Sequence, residues 1–193
     1  SIFLIICKYG IMECIVAEVF HVTTVDNAEQ CLVEGLVPYK ATQAPPETLE
    51  KNHSYDKLRP ESVAMLGVSR ANSVYAHVDV QSAIKHHNGS WLSKFAGQLA
   101  YLAVDVDPLT TYVADMYLFG NTNGPRQYWG SLVPLKNYLD QLSQGINPTF
   151  GEQRGSSKHL HTCLYWWPEV LIPDGVEPAR IRLMAASELP GTN

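Results

Sequence analysis

Charge is what this chain has least of. Only 17% of its 193 residues are Asp, Glu, Lys or Arg, and 14 basic residues stand against 19 acidic ones, a net charge of −5. That balance excludes a broad nucleic-acid-coating surface, while leaving room for a small basic groove. A hydrophobic share of 46% excludes global disorder. The four cysteines, Cys7, Cys14, Cys31 and Cys163, form no CxxC pair and no regular framework. A disulfide scaffold is thereby excluded, and the thiols read as buried and reduced in a cytoplasmic protein. There is no internal repeat and no low-complexity tract. The apolar opening Ser1–Cys7 stops at Lys8, too short for a membrane span and without the marks of a signal peptide. An opening strand fits it better. Met12 offers a second start, which would make residues 1–11 an extension.

What remains suits a single domain spanning 1–193, long enough to bury a core without staples. Cys14–Phe20 reads as a strand that turns at His21-Val22-Thr23 into a helix, with Thr23 or Thr24 as cap and Gly35 past its end. Thr48–Leu58 is a helix ended by Pro60, Ser73–His77 a short strand, and Asp79–His87 a helix capped by Asp79. Leu99–Val106 and Thr110–Phe119 read as strands, Asn121–Pro125 as a loop and Val133–Leu142 as a helix. Gly145–Lys158 is a polar loop; Leu160–Trp166, Glu169–Ile172 and Ile181–Ala185 are strands, with Pro173-Asp174-Gly175 a turn. Strands with short interposed helices and a strand-rich C-terminal half predict an α+β fold.

Three stretches could carry chemistry. In His21-Val22-Thr23 two polar side chains flank one that points the other way, a pair able to grip ribose hydroxyls; equally, a threonine caps the helix and His21 is a surface histidine. Tyr75, on a short strand, can offer its ring to a flat heteroaromatic or fill a core. Glu169 heads an apolar strand beside Trp166 and Trp167. A carboxylate there is costly without partners, which marks either a site or an exposed strand end.

Together these stretches resemble the ADP-ribosyltransferase-fold family. Phe20-His21-Val22-Thr23 with Gly35-Leu36-Val37-Pro38 looks like its opening strand and helix. Ser73-Val74-Tyr75-Ala76 with Ser82-Ala83 looks like its second motif, and Pro168-Glu169-Val170-Leu171-Ile172-Pro173 its third. The order is that of the His-Tyr-Glu class, with a flavour of the DarT-like group that modifies nucleic acid. The resemblance implies two small packed sheets with short helices around an NAD cleft. It implies Glu169, His21 and Tyr75 as catalytic residues, with His21, Val22, Thr23, Tyr75, Ser82 and Arg70 on NAD; Arg59 is a second candidate for the arginine. In that scheme Glu169 stabilises the oxocarbenium charge on the ribose, and no metal is needed. Trp167 stands where arginine-directed members carry Gln or Glu, which points away from protein arginine as acceptor.

The loop before Glu169 carries Arg154, Lys158, His159 and His161, which with Trp167 are the expected acceptor contacts; a solvated loop is the alternative. His159, His161 and Cys163 share one strand face, as zinc ligands do, but make only three. The expectation is an NAD-dependent mono-ADP-ribosyltransferase, toxin-like, acting on a macromolecule, with nucleic acid favoured over protein and no membrane. An antitoxin or immunity protein is the partner such a toxin would have. The alternatives are an NAD glycohydrolase, an RNA 2′-phosphotransferase, or a binding module without turnover.

Overall fold

The computed structural model describes residues 16–38, 46–89, 98–119, 124–152 and 161–190. It is α+β, with a large antiparallel sheet and a small two-stranded one, rather than the two small sheets expected. The chain divides into two compact units. The first comprises Ser1–Leu36, Ala76–Pro108 and Val176–Asn193, and the second Val37–Tyr75 and Leu109–Gly175. Among the described residues no helix is long and apolar enough to cross a membrane.

In the first unit, β1 (Ala17–Thr24) pairs antiparallel with β3 (Leu99–Val106) along its whole length, and β3 pairs with β9 (Ile181–Leu183). His21, Val22 and Thr23 therefore lie inside a strand, opposite Leu102, Tyr101 and Ala100, rather than at a turn. Strand alternation sends Val22 one way, to pack with Ala83, Phe20, Leu99 and Tyr101, and His21 and Thr23 the other. α1 (Val25–Glu34) starts on the Thr24 side chain, which accepts from the Asn27 N–H at 3.4 Å. Gly35 ends it at φ 90°, where its N–H donates to the Cys31 carbonyl. A Cβ at Gly35 would lie 2.4 Å from the Val176 carbonyl oxygen, because Leu36 and Val176 exchange backbone hydrogen bonds there. α4 (Val80–Gly89) begins at Asp79, which accepts from the Ser82 N–H and hydroxyl, and continues through Asn88-Gly89 rather than stopping before them. Cys31 is a free, half-buried thiol raised by burial and then by Glu34.

In the second unit, β8 (Pro168–Pro173) pairs antiparallel with β4 (Tyr112–Asp115), which pairs in turn with β5 (Val133–Pro134). β2 (Ser73–His77) neighbours β8 in the sheet, and its Ser73–Tyr75 portion belongs to this unit. The strand expected over Thr110–Phe119 stops at Asp115 because a 3-10 turn, Met116–Leu118, follows. α5 (Gly124–Gly130) begins inside the stretch read as a loop; Pro125 is tolerated in a first turn, where its missing N–H has no intrahelical partner. α2 (Pro46–Lys57), α3 (Glu61–Ala64) and α6 (Leu135–Ser143) complete the helices. The polar stretch read as a loop contributes β6 (Thr149–Glu152), paired with β7 (His161–Leu164). Cys163 on β7 is a free thiol, half-buried rather than buried. The core gathers Tyr55, Val63, Val68, Tyr112, Ala114, Tyr128, Trp129 and Leu171. Trp129 is fixed by its indole N–H, which donates to the Tyr55 carbonyl at 2.9 Å. This centre is unusually aromatic, and that composition matters for the cation beside it.

Candidate functional site

Leu171 belongs to that core, and on a strand Glu169 shares its face. The carboxylate is thus driven inward, to 7% exposure, where it needs a partner. Arg70 supplies it. Its Nη1 donates to Glu169 Oε2 at 2.6 Å and its Nη2 to Oε1 at 3.4 Å. Arg70 itself is 4% exposed. The Tyr128 hydroxyl accepts from Arg70 Nη1 and donates to Glu169 Oε2 at 2.8 Å, closing a triangle. Arg70 Nε donates to the Asn52 side-chain oxygen at 3.1 Å.

The guanidinium also lies among three rings. Its central carbon is 4.1 Å from the Phe119 centroid, 4.7 Å from that of Tyr75 and 4.8 Å from that of Tyr128. Ring faces are electron-rich, so this box stabilises a cation that has left water. The backbone is fixed as well. The Arg70 and Ala71 N–H groups donate to the two Asp56 oxygens at 2.7 and 3.0 Å, and the Tyr75 hydroxyl donates to the Arg70 carbonyl.

Burial alone would pull Arg70 down, but the Glu169 carboxylate, followed by Tyr128 and Tyr75, more than reverses it, and the guanidinium stands above the ordinary arginine value. Tyr128 is pushed well above the tyrosine range, first by burial and then by Glu169, with Arg70 opposing.

Of the residues expected on chemical grounds, the second unit brings together Glu169, Tyr75 and Arg70. Arg70 acts there as the partner of Glu169, with its donors engaged on Glu169, Tyr128 and Asn52. Arg59, the other arginine candidate, donates to the Val68 carbonyl. His21, Val22, Thr23 and Ser82 belong to the first unit. His21 is half-buried, Thr23 is buried, and the Ser82 hydroxyl donates to Asp79 at 2.9 Å. Trp167 is half-buried and donates its N–H to Asp115. Arg154, Lys158 and His159 lie outside the described residues, as does the side chain of His161, so the zinc alternative through His159, His161 and Cys163 lies outside them too.

Sequence reasoning missed Tyr128, Asn52, Asp56 and Phe119. Asp56 alone left a local signal, as a carboxylate near the end of a helix where the macrodipole disfavours it. Comparison with protein-family models, with curated proteins and with solved structures finds no match.

Proposed function

We propose that this chain is an NAD-dependent ADP-ribosyltransferase in which Glu169 is the catalytic carboxylate and Arg70 and Tyr128 are its positioning residues. The observation that carries the reading is the convergence of Glu169, Tyr75 and Arg70 on one buried centre, from positions as far as 99 residues apart. In the reaction the bond between nicotinamide and ribose breaks, and nicotinamide leaves with the electron pair as a neutral ring. The ribose carbon gains oxocarbenium character, the acceptor attacks it, and the acceptor's proton is lost. A fixed carboxylate stabilises that positive charge where it develops. Arg70 provides the counter-charge without which a buried Glu169 would be costly, and the Tyr128 hydroxyl sets its direction. The resemblance assigns the nicotinamide to the Tyr75 ring.

One observation favours a second reading, a binding module without turnover: both Glu169 oxygens already accept hydrogen bonds from Arg70. Incubation with NAD labelled in its ADP-ribose part, with separate pools of protein, DNA and RNA, separates the two. Transfer predicts label on one pool with nicotinamide released in equal amount. Per folded molecule, Glu169→Gln then loses about a hundredfold or more in kcat. Free ADP-ribose as the sole product makes the chain a glycohydrolase, and unconsumed NAD leaves the binding module.

A further inference from the structure

Asp115 is completely buried and makes no ion pair among the described residues. Its oxygens accept backbone N–H groups instead: Tyr117 at 3.1 Å, Trp166 at 3.1 Å and Trp167 at 2.9 Å. The Met116 N–H donates to the Trp167 carbonyl at 2.8 Å, and the Asp115 N–H bonds the Ser131 hydroxyl at 2.8 Å. Two chain segments some fifty residues apart, the 3-10 turn after β4 and the bend before β8, are thus tied to one carboxylate. Bonds from N–H to a carboxylate are stronger than those between neutral groups, so this tie is stiff.

What the tie presents to solvent is two aromatic rings. Trp166 is 76% exposed and Tyr117 59% exposed, with centroids 6.0 Å apart and planes inclined at 33°. Large rings held open to water on a stiff mount are poor for stability and well suited to stacking. Two cations lie on elements that adjoin the turn. α5 packs against the same 3-10 turn and carries exposed Arg126, which makes no ion pair among the described residues. Lys51 sits 4.2 Å over the ring of Phe119, the residue that caps the turn, and likewise has no ion-pair partner among the described residues. The carboxylate beneath the rings is buried, so it turns no negative charge outward.

We propose that Tyr117 and Trp166 form a ledge for an unpaired base of single-stranded nucleic acid, with Arg126 and Lys51 meeting its phosphates. Every base has a π-face, and stacking with local cation contact is how sequence-tolerant single-strand binding is built. An aliphatic protein surface would leave those cations unanswered. The inference rests on the transferase reading only in making this strand the acceptor; the binding itself stands apart from NAD. It replaces Trp167, which is half-buried and tied by its N–H, with Trp166 as the stacking ring.

The test is a tryptophan-fluorescence titration of the full chain, without NAD, using ten-nucleotide oligothymidylate, oligouridylate and a duplex of equal length. Saturable quenching by one or both single strands, and weak quenching by the duplex, is expected; the two single-strand arms tell DNA from RNA. Binding weakens on the order of tenfold or more in Trp166→Ala, followed by anisotropy of a labelled strand, and in Tyr117→Ala. Both rings are exposed, so neither variant threatens the fold. Arg126→Ala lowers the slope of log affinity against log salt by about 0.7. Equal binding by the duplex, or parental affinity in Trp166→Ala, overturns the ledge. Strand binding without label transfer from NAD overturns only the transferase reading, whereas transfer to nucleic acid undiminished in Trp166→Ala overturns only the ledge.

Discussion

In the first unit Arg182 reaches Glu18 at 3.1 Å and Glu188 at 2.8 Å, with all three side chains open to water. In the second, Arg70 reaches Glu169 at 2.6 Å, with almost none of either side chain exposed. The residue types are the same and the distances are similar. What differs is what each group would do if its partner vanished. Arg182 would be solvated, whereas Glu169 without Arg70 would be a buried carboxylate with the Tyr128 hydroxyl but no counter-charge. An ion pair in a core is therefore a commitment rather than a bonus: its net contribution is small, but breaking it by one partner is severe.

The largest effect should come from breaking the buried pair. Arg70→Met leaves Glu169 uncompensated and should cost about 3–5 kcal/mol, read as a lowered urea midpoint. The double variant Arg70→Met with Glu169→Met should recover most of that loss, since two apolar chains of similar length suit an aromatic core. If the double variant is no better than the single one, the loss belongs to Asn52, Tyr128 and the ring box rather than to the stranded charge.

The first unit's most sensitive point lies in its backbone. Gly35→Ala asks an L-residue to hold φ 90° and sets a Cβ 2.4 Å from the Val176 oxygen. Backbone strain of this kind costs about 1–3 kcal/mol. Equilibrium unfolding should show a loss in that range, and a parental midpoint would mean that the Leu36–Val176 bridge shifts freely.

Much of the first unit was legible in this way, and the reason is locality. Gly35, the Asp79 cap and the Leu99–Val106 strand are each set by residues within a few positions, as is the Pro173-Asp174-Gly175 turn of the second unit. The site was half legible. A carboxylate heading an apolar strand announces that it needs a partner, and Glu169 was found on that ground. Nothing local says that the partner is Arg70, which lies 99 positions away. Tyr128 was missed for another reason. Its helix has glycine at both ends and proline in its first turn, so propensity argued for a loop while packing of Tyr128 and Trp129 into the core decided for a helix. His21-Val22-Thr23 looked like a turn because Thr24 caps the next helix, yet the β1–β3 ladder runs to Thr24 itself.

Alkali should have the next largest effect. The folded Tyr128 phenol is held well above its ordinary value, by burial first. An unfolded tyrosine loses its proton near pH 10 and the folded one keeps it, so stability present below about pH 10 is lost as pH rises beyond it. One such group contributes a slope of about 1.4 kcal/mol per pH unit. Tyr165, raised by burial and then by Tyr138 and Asp115, adds a second. Tyr128→Phe should therefore flatten the fall in urea midpoint above about pH 10 by roughly one proton's worth, leaving the Tyr165 share. An unchanged slope would mean that Tyr128 titrates freely and the second unit's centre is open to water.

The smallest effect should be at Arg182, which sharpens the comparison most because the bonds look just as good. Its value is raised by hydrogen bonding to Glu188 and then to Glu18, while the Ala185 N–H, followed by Arg182, holds Glu188 below the ordinary carboxylate value. A lowered carboxylate adds stability above its unfolded range, and that stability is lost as the pH falls through the folded value. At an exposed site, however, both charges are already solvated and mobile ions screen what attraction remains. Arg182→Met should leave the urea midpoint unchanged within error at physiological salt. A difference should emerge only at low salt, and it should vanish below about pH 4, where carboxylates take up protons. If Arg182→Met instead matched the loss from Arg70→Met, exposure would not be what separates the two pairs, and Arg182 would have to be holding β9 to β3 through its side chain, a role the Ala103–Arg182 register leaves open to it.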